Sequence, residues 1–136
     1  MSGMAPEAVA YVRVSSEEQV RGGVSLDAQE DRIRSYCAMT GLLLVSVIRE
    51  EGVSGGKLLR DRPGGGELIQ SLRRHRHVVA LKLDRLFRDA VDALNQTREW
   101  DKKGISCHLV DMGGLAIDTS SAMGRLFLTM LAGMAE

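Results

Sequence analysis

Short apolar runs alternate with segments of helical spacing along most of this chain, and that alternation predicts the fold. Residues 8–14 form a Val- and Ala-rich run of strand length, with Arg13 near its end. Residues 15–24 are polar and contain the breaker Gly22-Gly23. Ser25 then reads as an N-cap for a helix in which Leu26, Ile33 and Cys37 recur on one side, Asp27 suits the first turn, and Gly41 marks the stop. Residues 42–48 predict a second strand. Residues 50–66, rich in glycine and charge, predict a mobile loop that carries polar groups. Pro63 suits the first turn of a following helix whose buried side is Leu68, Ile69 and Leu72. A third strand over 78–83, a helix from the Asp89 cap to about Lys103, a stop at Gly104 and a fourth strand over 105–110 complete the series, with a fifth short strand expected near Ala116. Strands alternating with helices imply an α/β fold of three layers, α/β/α, around a mainly parallel sheet of four to five strands.

The last segment has a different pattern. Met123, Leu126, Phe127, Met130, Leu131 and Met134 fall at i, i+3, i+4, i+7, i+8 and i+11, an apolar stripe along one helix face. Two readings stay open: an ordinary core-facing helix, or a pliable methionine-rich surface that joins two subunits. The pattern is unfinished at Glu136, with no glycine, proline or basic last turn, so the helix is expected to run on and residues 1–136 to be one excised domain of a longer protein.

Composition narrows the function classes. A chain of 136 residues with 44% hydrophobic content is one domain able to bury a core without disulfides or metal. Cys37 and Cys107 both sit in apolar stretches and read as buried thiols, which fits a reducing cytoplasm. No apolar run approaches the roughly 18 residues a membrane span needs, and no cationic, apolar leader opens the chain. Eighteen basic residues balance eighteen acidic ones, so the domain lacks the excess expected of a module that grips nucleic acid alone. The cations are nevertheless clustered: Arg60, Arg62, Arg73, Arg74, Arg76, Lys82, Arg85 and Arg88 share the middle third.

Within that distribution, Ser15 is the candidate nucleophile. It closes the first strand in Tyr11-Val12-Arg13-Val14-Ser15, and strand alternation puts Arg13 on the same face; Ser16 points the other way and is the second choice. Asp84-Arg85-Leu86-Phe87-Arg88 closes the third strand, where Arg85 and Arg88 can project to one side of a turn while Asp84 orients a guanidinium or assists proton transfer. In an open α/β sheet such segments meet beyond the carboxyl ends of the strands. A hydroxyl facing guanidinium forks points to phosphoryl transfer. Nucleotide and metal sites fit poorly. Gly52-Val53-Ser54-Gly55-Gly56-Lys57 is one residue short of a P-loop and is followed by Leu58 rather than a hydroxyl, and His75, His77 and His108 lack cysteine partners at ligand spacing and read as solvated.

These residues resemble the catalytic domain of the serine recombinases, the resolvases, invertases and large serine integrases. The matching elements are Tyr11 to Ser15, Ser25-Leu26-Asp27-Ala28-Gln29, Glu51-Gly52-Val53-Ser54-Gly55, Arg62-Pro63-Gly64, Leu83 to Arg88 and Met123-Gly124-Arg125, in the family's order across nearly the whole chain. The insertion Glu17 to Val24 is closer to the large integrases and transposon recombinases. The resemblance implies that Ser15 attacks a DNA phosphodiester and holds the 5′ phosphate as phosphoserine while a 3′ hydroxyl leaves, with rejoining as the reverse. It implies that Arg13, Arg85 and Arg88 surround the phosphate, that Arg62, Tyr11, Gln29 and Ser54 complete the pocket, and that Asp84 orients groups or exchanges protons. It further implies no metal or other cofactor, DNA as partner, and assembly of dimers into tetramers through the long C-terminal helix. Two departures stand out. Glu50 occupies a position where the family more often has aspartate, and the DNA-binding region that normally follows is not within these residues, so this domain is expected to hold the pocket yet recombine nothing alone. The rival readings are an assembly module whose chemistry has lapsed, and a hydrolytic nuclease or phosphatase.

Overall fold

The computed structural model describes residues 5–135. Strand β1 (Glu7–Val14) is buried from Ala8 onward and divides its side chains between two cores. Val9 and Tyr11 join one cluster, and Ala8, Ala10 and Val12 join the other, so the period of two survives in a strand covered on both faces. Helix α1 (Ser16–Arg21) follows at once and buries none of its residues. Helix α2 (Leu26–Thr40) is capped by the Ser25 hydroxyl, which accepts from the Ala28 N–H at 3.0 Å, and ends at Gly41 in the left-handed conformation with φ 76°. It lays Ile33, Tyr36 and Cys37 on one sheet face.

Strand β2 (Leu43–Glu51) runs three residues past the expected end and takes Glu50 and Glu51 out of the loop and into the sheet, paired with Arg13 and Val14. A 3-10 turn (Leu59–Asp61) leads into α3 (Pro63–Ser71), which opens on its proline as expected. Strand β3 (His77–Ala80) is shorter than the apolar run suggested, because Leu83–Leu86 coil into the single turn α4. Helix α5 (Ala90–Lys102), capped by Asp89, strands β4 (Ser106–Leu109) and β5 (Ile117–Asp118), and helix α6 (Ala122–Ala135) complete the domain. The sheet order is β2-β1-β3-β4-β5, parallel except for β5. The three layers and the fifth strand thus agree with the sequence pattern. The expected continuation of α6 through Glu136 lies outside the described residues.

Helix α6 approaches β5 closely at Gly124, where an added Cβ would sit 2.0 Å from the Asp118 carbonyl oxygen, so no side chain fits there. Leu128 and Ala132 face the core, and Phe127 and Leu131 are half-buried beside them. The remaining stripe residues Met123, Leu126, Met130 and Met134 are exposed. The stripe therefore straddles the two sequence readings, with one edge packed and one unpartnered.

The histidines depart from expectation. Strand alternation turns His108 inward, where it is 5% exposed; the Tyr36 hydroxyl lies 2.7 Å from its Nδ1, and His77 Nδ1 lies 3.0 Å from its Nε2. Donors and acceptors balance along this chain when both rings are neutral: the Tyr36 hydroxyl donates to His108, which donates to His77. Burial pushes both imidazoles below the ordinary range, His108 the further. The unfolded chain then takes up protons before the folded one. Stability should decline as pH falls from about 6.5 toward 4, by about 1 to 3 kcal/mol. Urea unfolding at several pH values checks this, and the decline should flatten in His108→Asn; an equal slope in both proteins would exclude the histidine chain as its source.

Candidate active site

The chain returns to both sides of β1: β2 pairs on one edge and β3 on the other. The carboxyl ends of β1 and β3 therefore flank the switch point of the sheet, where open α/β folds gather ligands. Ser15 follows β1 and the 82–88 segment follows β3, so the two sequence-distant groups meet there.

Arg13, 3% exposed, leaves β1 and donates from Nε to the Arg85 carbonyl at 3.2 Å, from Nη2 to the Asp84 carbonyl at 2.9 Å and from Nη1 to the Val53 carbonyl at 2.8 Å. Arg85 answers by donating from Nη1 to the Arg13 carbonyl at 2.8 Å. The pair stitches the end of β1 to α4 and to the loop after β2. Gly55 lies so close that an added Cβ would sit 2.8 Å from Arg13 Nη2. Arg62, 1% exposed, spends all five N–H donors within the protein: Nε and Nη2 reach the Lys57 carbonyl, Nη2 also the Gly55 carbonyl, and Nη1 the Arg85 carbonyl at 2.7 Å and the Tyr11 hydroxyl at 3.1 Å. It is a built-in part of the pocket wall, with no donor left over in this arrangement.

Three buried guanidinium groups so close together need anionic compensation. Two glutamates supply it. Glu50, 3% exposed, accepts from the Tyr11 hydroxyl at 2.5 Å and from the Gly64 N–H at 2.8 Å, so the glutamate found in place of aspartate is fully engaged. Burial, together with the hydrogen bond to Glu50, holds the Tyr11 phenol well above its ordinary pKa. Glu18 lies against the other two arginines, at 2.5 Å from Arg85 Nη2 and 3.4 Å from Arg13 Nη1. Burial would raise its pKa, but the bonds from Arg85 and Ser15 outweigh it and bring the carboxyl down to about 2. Burial and the neighbouring Arg85 charge lower Arg13, whereas Arg85, despite burial, is raised by Glu18 and Asp84.

Ser15 itself is half-buried and caps α1. Its Oγ accepts from the Glu18 N–H at 3.1 Å while the Glu18 carboxylate accepts from the Ser15 N–H at 2.9 Å, a reciprocal capping box. Asp84 Oδ1 sits 3.1 Å from Arg85 Nε. Gln29 is fully buried and bonds the Arg13 N–H, the Arg13 carbonyl and the Val24 carbonyl, which fastens α2 to the end of β1. Ser54 is exposed, and its Oγ accepts from the Gly56 N–H.

Arg88 corrects one expectation. It does not share a face with Arg85, because α4 ends at Leu86 and Phe87 is extended, with φ −122° and ψ 157°; the three-residue spacing no longer spans a helical turn. Arg85 turns inward, while Arg88 is exposed and its side chain makes no hydrogen bond among the described residues. Glu18 is the group that the sequence reading missed. Among the described residues, no set of three or more His, Cys, Asp or Glu side chains is arranged to hold a metal ion, and no helix is long and apolar enough to cross a membrane.

Comparison with known proteins adds an independent line. A family model described as the resolvase N-terminal domain matches residues 8–136. The transposon Tn552 DNA-invertase BinR of Staphylococcus aureus is 30% identical over 128 residues, covering 94% of this chain and 59% of that protein. The serine recombinase PinR of Escherichia coli (strain K12) is 32% identical over 127 residues, covering 93% and 60%. The chain thus spans about three fifths of the length of these relatives. Among solved structures, the N-terminal catalytic domain of TP901-1 integrase superposes with a TM-score of 0.79 at 35% identity, covering 95% of this chain and 93% of that one. A resolvase family site-specific recombinase from Streptococcus pneumoniae gives 0.73 at 25% identity, covering 96% and 85%.

Proposed function

The chain belongs to the resolvase family of serine recombinases, and from that membership we propose that it is the DNA-cleaving and rejoining domain of a site-specific recombinase, with Ser15 as nucleophile. One observation carries the proposal: guanidinium groups from β1, from the entry to α3 and from α4 are drawn together beside a serine at the switch point of the sheet. Ser15 Oγ forms a bond to phosphorus as the bond from phosphorus to the 3′ oxygen breaks; the serine proton is given up and the departing 3′ oxygen takes one. The linkage count is unchanged, so the reverse step rejoins the strands without an outside energy source. Arg13 and Arg85 meet the charge that builds on the phosphate, and a placed donor in such a site is commonly worth ~3 to 4 kcal/mol. Arg62, Tyr11 and Gln29 hold the wall, Asp84 orients Arg85, and exposed Arg88 and Ser54 close on the DNA from outside. The 35% identity with an integrase catalytic domain favours the large-integrase branch; action on DNA and two buried free thiols, Cys37 and Cys107, favour a cytoplasmic site of action.

The test joins the chain to a DNA-binding module of known preference and supplies end-labelled duplex bearing two inverted module sites. The expected product is DNA linked to protein through its 5′ phosphate, with Ser15 in the linked peptide. Free 5′-phosphate ends without attached protein would instead identify a hydrolase.

For assembly, the exposed edge of α6 is the proposed subunit contact, with Met123, Leu126, Met130 and Met134 buried on a second copy. Sedimentation should show a concentration-dependent dimer that Met130→Asp shifts to monomer by tenfold or more in dissociation constant. Equal masses for both proteins at every concentration would remove that role.

A further inference from the structure

The most unexpected feature of the pocket is that it already contains an anion. Three donors converge on the Glu18 carboxylate: the Ser15 N–H at 2.9 Å and Arg13 Nη1 at 3.4 Å face Oε1, and Arg85 Nη2 faces Oε2 at 2.5 Å. A planar pair of charged oxygens seated on guanidinium forks beside a hydroxyl matches, in shape and charge, two oxygens of a phosphodiester. We propose that Glu18 is the internal occupant of the phosphate subsite, an acidic plug that the DNA phosphate displaces before Ser15 reacts. This inference rests on reading the pocket as a phosphodiester site.

Several observations favour a plug over a permanent strut. The Glu18 side chain is 30% exposed and rides on α1, which buries none of its residues, so it can swing toward solvent without opening a core. The arginines do not depend on it for position. Arg13 is held by three carbonyls, and Arg85 is held by the Arg13 carbonyl and by Asp84. When Glu18 leaves, an incoming phosphate meets a formed site. The competition is also charge for charge: a carboxyl held near a pKa of about 2 is ionised at every ordinary pH, which makes it an effective rival of phosphate and a poor proton acceptor for Ser15. The carboxylate also holds the Ser15 backbone through its N–H, whereas Ser15 Oγ accepts from the Glu18 backbone N–H, a bond that stays when the side chain leaves. An empty domain thus keeps its cations neutralised until a strand of DNA is pressed into the crevice.

Glu18→Gln separates the charge from the capping role, because glutamine at the third helical position still closes a capping box. The measurement is titration of this chain with inorganic phosphate and, separately, with a thymidine dinucleotide monophosphate, followed by NMR. Glu18→Gln should bind both at least tenfold more tightly than the unaltered chain. Should the glutamine variant fail to fold, Glu18→Ala takes its place in the same titration with the same expectation. Equal affinities with and without Glu18 would overturn the plug while leaving the phosphate pocket standing, and weaker binding by the variant would make Glu18 a supporting residue and equally overturn it. If folded proteins with and without Glu18 bind neither probe, the phosphodiester reading itself falls, and the plug with it.

Discussion

Ser15→Ala should eliminate the covalent protein–DNA product while leaving the domain folded. The two effects separate because of where Ser15 sits. Its hydroxyl caps α1, and losing an N-cap costs about 1 kcal/mol, but α1 buries none of its residues and the sheet does not depend on it. The fold should therefore survive, with unfolding by urea shifted by no more than that amount. The chemistry should not survive, because alanine offers no oxygen to form the bond to phosphorus. Covalent trapping on the inverted-site duplex measures the loss, which should exceed a thousandfold. Ser16→Ala is the matched control: Ser16 is exposed at the first position of α1, its hydroxyl lies beside Gly52 and bonds none of the arginines among the described residues, and the variant should retain the adduct. An adduct that persists in Ser15→Ala and disappears in Ser16→Ala would transfer the nucleophile one residue along.

Much of this site was legible in the chain itself, for reasons particular residues make clear. Strand parity puts Arg13 and Ser15 on one face, and Arg13 and Arg85 exchange hydrogen bonds at the end of β1, next to Ser15; Tyr11, named only by the resemblance, bonds Arg62 and Glu50. The caps at Ser25 and Asp89, the proline opening α3 and the terminator Gly41 are local signals, written in one or two side chains, and each matches the structure. The helical spacing of Arg85 and Arg88 misled because it assumes an uninterrupted helix, whereas Phe87 leaves the helix to enter the core. The histidines misled because polarity was read without partners: Tyr36, 72 positions from His108, supplies the hydrogen bond that makes burial tolerable. Glu18 was visible in principle. Ser15 and Glu18 have the spacing of a capping box, and Gly22 supplies the matching left-handed stop, so a short helix was encoded where only a polar stretch was read. Its contact with Arg85 spans 67 positions, and no local pattern announces it.

Arg85 is where fold and function cannot be separated, and replacing it should damage both. Its guanidinium carries three obligations at once: Nη1 to the Arg13 carbonyl, Nη2 to Glu18 and Nε to Asp84. In Arg85→Ala the Arg13 carbonyl loses one of its two side-chain donors and keeps Gln29, Arg13 and Arg62 keep their bonds to the Arg85 backbone, and Glu18 is left with the Ser15 N–H and the weaker contact to Arg13. Removing one member of a buried pair commonly costs 3 to 5 kcal/mol; Glu18 can turn partly to water here, so a loss of about 2 to 3 kcal/mol is expected from urea unfolding. Adduct formation should fall by a factor of about 10³, the range typical of losing a placed charge-stabilising donor. Arg85→Lys decides between charge and geometry. Lysine restores the positive charge as a point and cannot span three acceptors with a planar fork, so it should recover less than a tenth of the lost activity and only part of the stability. Arg88→Ala supplies the contrast: its side chain is exposed, so stability should change by less than about 0.5 kcal/mol while adduct formation falls, because its contribution begins only when DNA arrives. Full activity in Arg85→Lys would mean that the fork is not what the phosphate meets, and the pocket built around it would have to be reassigned to Arg13 alone.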